Sequence, residues 1–444
     1  MDKADRSTVA VSAQPSALVK QSRFHRLAWL LLAAFSALST WYFAVAVAPV
    51  GLGANKPSVE TGLYPEWYGS RQVLFHGRNP YGPEVTREIQ LQIYGSAEPQ
   101  SQQRNEHRFA YPLFFAVLFA PLALLPFQVA QAVALVCCGI LTALSVLWWL
   151  PQVSTGLTRL TYLLFAFASY PVVLGLQLRQ PSLVIASLLA AVVFCIRRKQ
   201  FVVAGILAAL CTSKPQLAIA VLLPLTIWSL VAWRARRAFA IALAISELCL
   251  LATSQWLLKG WFFQWLLTLR AYPHYAGSKP LLFDLLRGHF SLVASAALVG
   301  SVLVVSFKLS DVDLWFAVCF SIAAFQLLFP FQIYNEVLLI SVALWMAVNR
   351  TSINARGQLH TLLFSCTWII LGSGWIAALA LSTSNMIAPG SALKLWELPL
   401  VACWFYPFAA FAALAVYAGS ELQALQRTGT LSAEQQQPLS RTRF

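Results

Sequence analysis

Apolar runs of about 20 residues recur along this chain from Leu27 to about residue 418. A helix needs about that many to cross the hydrocarbon core of a bilayer. Charged residues are 11% of the chain and hydrophobic ones 59%, where a soluble domain carries roughly 25% charged residues. The pattern predicts an all-α polytopic membrane protein with little sequence left for a separate soluble domain. Candidate spans fall near 27–50, 127–150, 158–176, 180–196, 201–213, 215–233, 238–258, 290–308, 312–329, 333–350, 358–383 and 396–418. That is about twelve, with both ends cytoplasmic.

The net charge is +15, and its distribution excludes nucleic acid as the partner. The positive residues stand beside spans: Lys20, Arg23 and Arg26; Arg197, Arg198 and Lys199; Arg234, Arg236 and Arg237; Arg350 and Arg356. With twelve spans all of these lie inside, as the positive-inside rule requires. Ala44-Val45-Ala46 resembles a signal cleavage site, but the apolar stretch Leu27–Val50 is longer than the roughly 7–15 residues of a signal peptide's core. It reads as a retained signal anchor. All eight cysteines lie in apolar segments without a C-x-x-C pair, so they read as small buried hydrophobes and not as metal ligands. Residues 1–26 and 421–444 are polar and low in complexity, and read as disordered cytoplasmic tails.

One region departs from this pattern. Residues 51–108 hold Glu60, Glu66, Glu84, Glu88, Glu98 and Glu106 among the chain's 16 acids, with six of its 31 bases. Leu63/Tyr64, Trp67/Tyr68, Arg71 and Leu74/Phe75 recur at three-to-four spacing, as do Val85, Ile89 and Ile93. Each set predicts a short amphipathic helix lying on the membrane surface, joined through the turn residues His76 to Tyr81. Phe109–Pro126 is apolar but short, and reads as a re-entrant half-span. This large first extracytoplasmic loop is where a membrane enzyme would keep its chemistry.

Other polar groups fall on the same side. Leu178-Arg179-Gln180-Pro181-Ser182 joins two spans, and Lys214-Pro215 places a cation at a helix break, where an intramembrane charge points to function. Arg270 to Tyr275 and Lys279 to His289 form a second outer loop with His274, His289, Asp284 and several bases. A surplus of Arg and Lys at an interface suits phosphate, and the set together fits an anionic amphiphile. Glu247 and Glu336 lie inside spans. A Gly-rich phosphate loop, an H-E-x-x-H motif and a nucleophile elbow are all missing from the sequence, so nothing points to a nucleotide, metal or cofactor.

The order of short motifs resembles the family 87 glycosyltransferases of the GT-C superfamily. The motifs are an aromatic first loop ending in Gly77-Arg78-Asn79-Pro80-Tyr81, the half-span with Tyr111-Pro112, the outer turn with Gln180, and the break at Lys214-Pro215. The resemblance runs from about 60 to 290, and beyond that only hydropathy agrees. It divides the chain into a GT-C-like catalytic membrane module over 27–290, containing the 51–108 loop, and C-terminal transmembrane helices over 291–420. It implies inverting, metal-independent transfer of a sugar from a polyprenyl-phosphate donor, with mannose or arabinofuranose as typical sugars. The acceptor would be a lipid or cell-envelope glycan on the periplasmic face of a bacterial inner membrane.

Family members commonly carry Asp as general base where this chain has Gly62. An inverting transfer needs one carboxylate within reach of the acceptor hydroxyl. Glu66, one helical turn beyond Gly62, is the first candidate and Glu60 the second. Lys214, Arg179, Arg287 and Arg71 are candidates to hold the donor phosphate. Tyr64, Trp67, Asn79, Tyr81, Tyr111, Gln180 and His274 are candidates to position sugar and acceptor. Two other readings use the same ligand: a transporter or flippase of lipid-linked sugars, and a catalytically inactive relative.

Overall fold

The computed structural model describes residues 62–95, 107–150, 156–276, 280–286, 288–330, 332–390, 395 and 398–435. The N-terminal tail, the stretch 27–50, Glu60, Arg287 and residues 436–444 lie outside them, as does the side chain of His274. Among the described residues all regular structure is helical.

The polar loop supplies α1 (Tyr64–His76) and α2 (Pro83–Tyr94), where the sequence periodicity placed two helices. Each has Pro in its first turn, where a missing N–H leaves no helix bond unmade. Next come α3 (Phe114–Ala123) and α4 (Phe127–Trp149), separated by a break at Pro126. The pair α5 (Gly156–Ala168) and α6 (Tyr170–Leu178) is bent by 62°, at the point where Pro171 removes a backbone donor. The chain continues through α7 (Pro181–Arg197), α8 (Phe201–Cys211), α9 (Pro215–Val231) and α10 (Trp233–Leu257). Then follow α11 (Trp261–Ala276), α12 (Leu281–Leu285), α13 (His289–Leu309) and α14 (Leu314–Leu328). A 3-10 turn, Ile333–Leu338, leads into α15 (Leu339–Val348) and α16 (Arg350–Ala355). The last two are α17 (Gln358–Ile387) and α18 (Leu398–Gln435).

Five of these helices are long and apolar enough to cross a bilayer: α4, α10, α13, α17 and the Cys403–Arg427 part of α18. The α5–α6 pair makes six if counted as one broken span. The other apolar elements, α3, α7, α8, α9, α14 and Ile333–Val348, run 10–17 residues, short of the ~20 that a straight crossing takes. By length, the expectation of about twelve spans is met only in part.

Two further departures have local causes. The stretch before Ala276 was expected as loop, yet Trp261, Trp265, Thr268 and Tyr272 recur at helical spacing and form α11. Trp261 and Thr268 are buried, and Trp265 Nε1 donates to the carbonyl of Ala110 at 3.1 Å. The tail from Glu421 was expected to be disordered, yet α18 runs on to Gln435. Its sequence there is rich in helix formers. Arg356 anchors it by pairing with Glu421 and by donating to Ser420 Oγ at 3.0 Å, with its guanidinium 4.3 Å from the Tyr417 ring centroid.

At the centre α7 and α14 are buried on nearly every side, as helices apolar all round must be. Asp313 caps α14 by accepting from the Phe316 amide at 2.9 Å, and it accepts from Trp345 Nε1 of α15 at 3.0 Å. A second core, separate from the main one, joins the polar loop to α3 and the start of α4: Leu63, Tyr64, Trp67, Val85 and Ile89 pack with Phe109, Phe115, Phe119 and Phe127.

Helices α8 and α10 approach closely at Gly205. A Cβ there would stand 2.6 Å from the Phe239 carbonyl oxygen and 2.8 Å from the Leu243 nitrogen, both fixed backbone atoms. Small residues permit such contacts between membrane helices. Gly205→Ala is predicted to cost roughly 1–3 kcal/mol of stability. Gly139→Ala is the control, because a Cβ at Gly139 would meet nothing within 4 Å. Melting curves of the two purified variants check this; equal midpoints would contradict the packing described.

Candidate functional site

A cavity of about 500 Å³ opens where six stretches of chain meet: Gly62 to Glu66, His107 to Pro112, Leu178 to Gln180, Lys214 to Gln216, one face of α11, and Phe329 to Asn335. Trp265, Leu269, Tyr272, Tyr111 and Tyr334 give it an aromatic and apolar wall, with a few polar groups set into it. Small-molecule sites have this character.

Glu66 lies in the first turn of α1, where a carboxylate meets the positive end of the helix dipole. It is buried, and its Oε2 has no hydrogen-bond partner among the described residues. Burial pushes its pKa up to about 8; its own backbone amide and the charge of Lys214 pull the other way and are outweighed. Tyr111 and Tyr272 feel the Glu66 charge too, and burial raises both phenols above their ordinary range. Glu66 is the sole carboxylate among the described lining residues. Burial also lowers the pKa of His107.

Lys214 caps α9 at the break, ahead of Pro215, and is 3% exposed. Its Nζ donates to Ser182 Oγ, and it lies 5.0 Å from the ring centroid of Tyr334 and 5.9 Å from that of Tyr111. Such ring faces stabilise a desolvated cation. Gln180, at the N-terminus of α7, reaches across to Gly62. A Cβ built on Gly62 would stand 2.0 Å from Gln180 Nε2, so the amide fills the space an aspartate side chain would need.

The structure brings Glu66, Lys214, Gln180 and Tyr111 to one cavity. It places other expected site residues elsewhere. Asn79 Oδ1 accepts from the Tyr81 amide at 3.0 Å, and its Nδ2 donates to Gln264 Oε1 of α11 at 2.5 Å. The Tyr81 hydroxyl donates to the Tyr111 carbonyl at 2.7 Å. Asn79 and Tyr81 therefore brace the cavity wall from behind and do not line it. Tyr64 and Trp67 belong to the aromatic core, where Trp67 Nε1 donates to the Leu125 carbonyl at 3.1 Å. Arg71 donates to the Ala123 carbonyl at 3.0 Å beside the Trp67 ring, and Arg179 to the Gln177 carbonyl at 2.5 Å. Neither arginine lines the cavity.

Sequence reasoning passed over Arg108, Gln216, Trp265, Tyr334 and Asn335, all of which line it. The polar run Gln332 to Glu336 inside an apolar segment was a signal for the last two. The segment Phe329 to Asn335 also lies beyond the 27–290 module, so the cavity draws a wall from the C-terminal part.

The family model described as glycosyltransferase family 87 matches residues 109–348, more than half of the chain. The match takes in Tyr111, Lys214 and the Phe329 to Asn335 wall, and it begins after Glu66. A search of curated proteins finds no match.

An infrared titration of the purified protein is predicted to show a carboxyl that loses its proton near pH 8, and that signal should be missing from Glu66→Gln. An unchanged titration in the variant would remove Glu66 from this assignment.

Proposed function

The chain belongs to glycosyltransferase family 87, and on that premise we propose that the cavity transfers a sugar from a polyprenyl-phosphate donor to a hydroxyl of a lipid or glycan acceptor. The chain is a membrane glycosyltransferase; donor, direction and residue roles are our reading. The observation that carries it is that a buried carboxylate, one of whose oxygens has no hydrogen-bond partner among the described residues, shares one aromatic cavity with a buried ammonium. The acceptor oxygen forms its bond to the anomeric carbon as that carbon's bond to phosphate oxygen breaks. The acceptor proton goes to Glu66, and the electron pair leaves on the lipid phosphate, inverting the centre. Lys214, with Arg108 on the same cavity, offsets the charge that develops on the leaving phosphate. Tyr111, Gln180 and Tyr272 face the sugar. Mannose and arabinofuranose are the sugars we favour.

The places where the helices end support a proposed orientation. α7 runs from the cavity at Gln180 to Arg197, and α9 from Lys214 toward Arg234, Arg236 and Arg237. The Ile333–Val348 element runs from the cavity to Arg350, while α14 starts near Arg236, which pairs with Asp311 at 2.6 Å, and ends at the cavity. These basic clusters thus collect at the end opposite the cavity. By the positive-inside rule that end is cytoplasmic, and the cavity opens on the periplasmic face of a bacterial inner membrane. The alternation of α7, α8 and α9 between the two ends also supports counting the shorter helices as crossings, toward a total of about twelve.

Glu66→Gln is predicted to lower the transfer rate at least ~100-fold, within the range general-base removal produces, while donor binding survives. In the wild type the base must be ionised, so kcat/KM should rise with pH up to a midpoint near 8 and level off above it. Release of lipid phosphate from polyprenyl-phosphate sugars, measured against pH, tests both. Full activity in Glu66→Gln would refute the assigned base.

A further inference from the structure

An ammonium has three N–H donors, and among the described residues the chain accounts for one on Lys214, the bond to Ser182 Oγ. That hydroxyl is not free to turn. Ser182 is fully buried, and its proton is committed to Asn335 Oδ1 at 2.9 Å. The turn that carries Asn335 is tied down in its backbone, where the main-chain carbonyl of Asn335 accepts from Gln326 Nε2 at 3.0 Å. The direction at the hydroxyl is therefore set: an ammonium can only donate, so Ser182 accepts from Lys214 and donates to Asn335 Oδ1. These four residues come from the first turn of α7, the cap of α9, the 3-10 turn and α14, so distant parts of the sequence meet on one nitrogen.

We infer that Ser182 and Asn335 are positioning residues for an anionic phosphate ligand, holding the Lys214 ammonium so that its two remaining N–H groups are presented to the cavity before the ligand arrives. The inference rests on the transferase reading above for its substrate. A lysine arm is long and flexible, and ordering it during binding weakens affinity. Here the arm is ordered in advance, by one hydrogen bond whose acceptor lone pair is itself fixed and by the faces of Tyr334 and Tyr111 on either flank. The phosphate then completes the ammonium's hydrogen bonding instead of competing for it. Ser182 never touches the substrate, so its removal should act on affinity and not on chemistry.

The test uses full-length protein in detergent, with polyprenyl phosphate as the binding probe and polyprenyl-phosphate sugar as the kinetic one. Ser182→Ala is expected to bind polyprenyl phosphate about tenfold more weakly, as loss of a hydrogen bond to a charged group implies. Its donor KM should rise by about the same factor with kcat within about twofold, and Ser182→Thr should restore both. Ser182→Cys, which keeps the shape and weakens the acceptor, replaces the alanine variant should that fail to fold. Wild-type affinity in Ser182→Ala or Ser182→Cys, or failure of Ser182→Thr to rescue, overturns the inference. If wild type binds polyprenyl phosphate and Ser182→Ala loses it while no protein transfers sugar, the phosphate site stands and the transferase reading fails. If wild type binds no polyprenyl phosphate, both fall.

Discussion

A lone ammonium inside an apolar helix bundle costs several kcal/mol unless it is paired, hydrogen-bonded or neutralised. Lys214 sits in that position, 3% exposed at the break between α8 and α9, and the surrounding structure answers it. Ser182 supplies the acceptor, Tyr334 and Tyr111 supply ring faces, and Glu66 adds an opposing charge once it is ionised, near pH 8 and above. Each comes from a different element, so the helices that carry them must converge on this point. The cavity is the space left where they do. A charge this expensive is kept for what it does, and the phosphate of a lipid-linked sugar is the partner we propose for it.

The loop that covers the cavity is held by a brace, and the brace explains a motif. Asn79 ties to Gln264 on α11, Tyr81 ties to the carbonyl of Tyr111, and Trp265 ties to the carbonyl of Ala110 from the other side. The short stretch Ala110 to Pro112 is thereby fixed on both flanks, and Tyr111 can present its ring to the site while stacking on Phe115 with centroids 4.2 Å apart. The Asn-Pro-Tyr element is functional at one remove: it sets the wall on which the cavity's tyrosine stands.

Much of the site was legible in the sequence where one local signal sufficed. The Lys-Pro break marked Lys214, and the proximity of Glu66 to Gly62 within one helical turn marked the carboxylate. Gln180 was legible from its outer turn, though its contact with Gly62 was not, since that contact joins residues 118 positions apart in sequence. Arg71 and Arg179 have the right chemistry in the right region, yet backbone carbonyls take their guanidinium groups instead, one on α3 for Arg71 and one two residues back for Arg179. Tyr334 and Asn335 lie far along the chain, and only tertiary packing brings them in. Hydropathy found the positions of nearly every apolar helix, and the breaks at Pro126 and Pro215 were legible with it; the bend at Pro171, inside the expected span 158–176, was not, because an averaging window smooths over a single residue. The helix α11 was missed for the opposite reason: its three-to-four periodicity of Trp, Thr and Tyr was overshadowed by the polar residues that follow it.

The most direct measurement of the central claim is a map of the protein with a polyprenyl-phosphate sugar bound. The account predicts the phosphate within hydrogen-bond distance, ~3 Å, of Lys214 Nζ, with the sugar's anomeric carbon facing the side of the cavity where Glu66 stands. A phosphate seated on Arg71 or Arg179, with the Lys214 cavity empty, would contradict it.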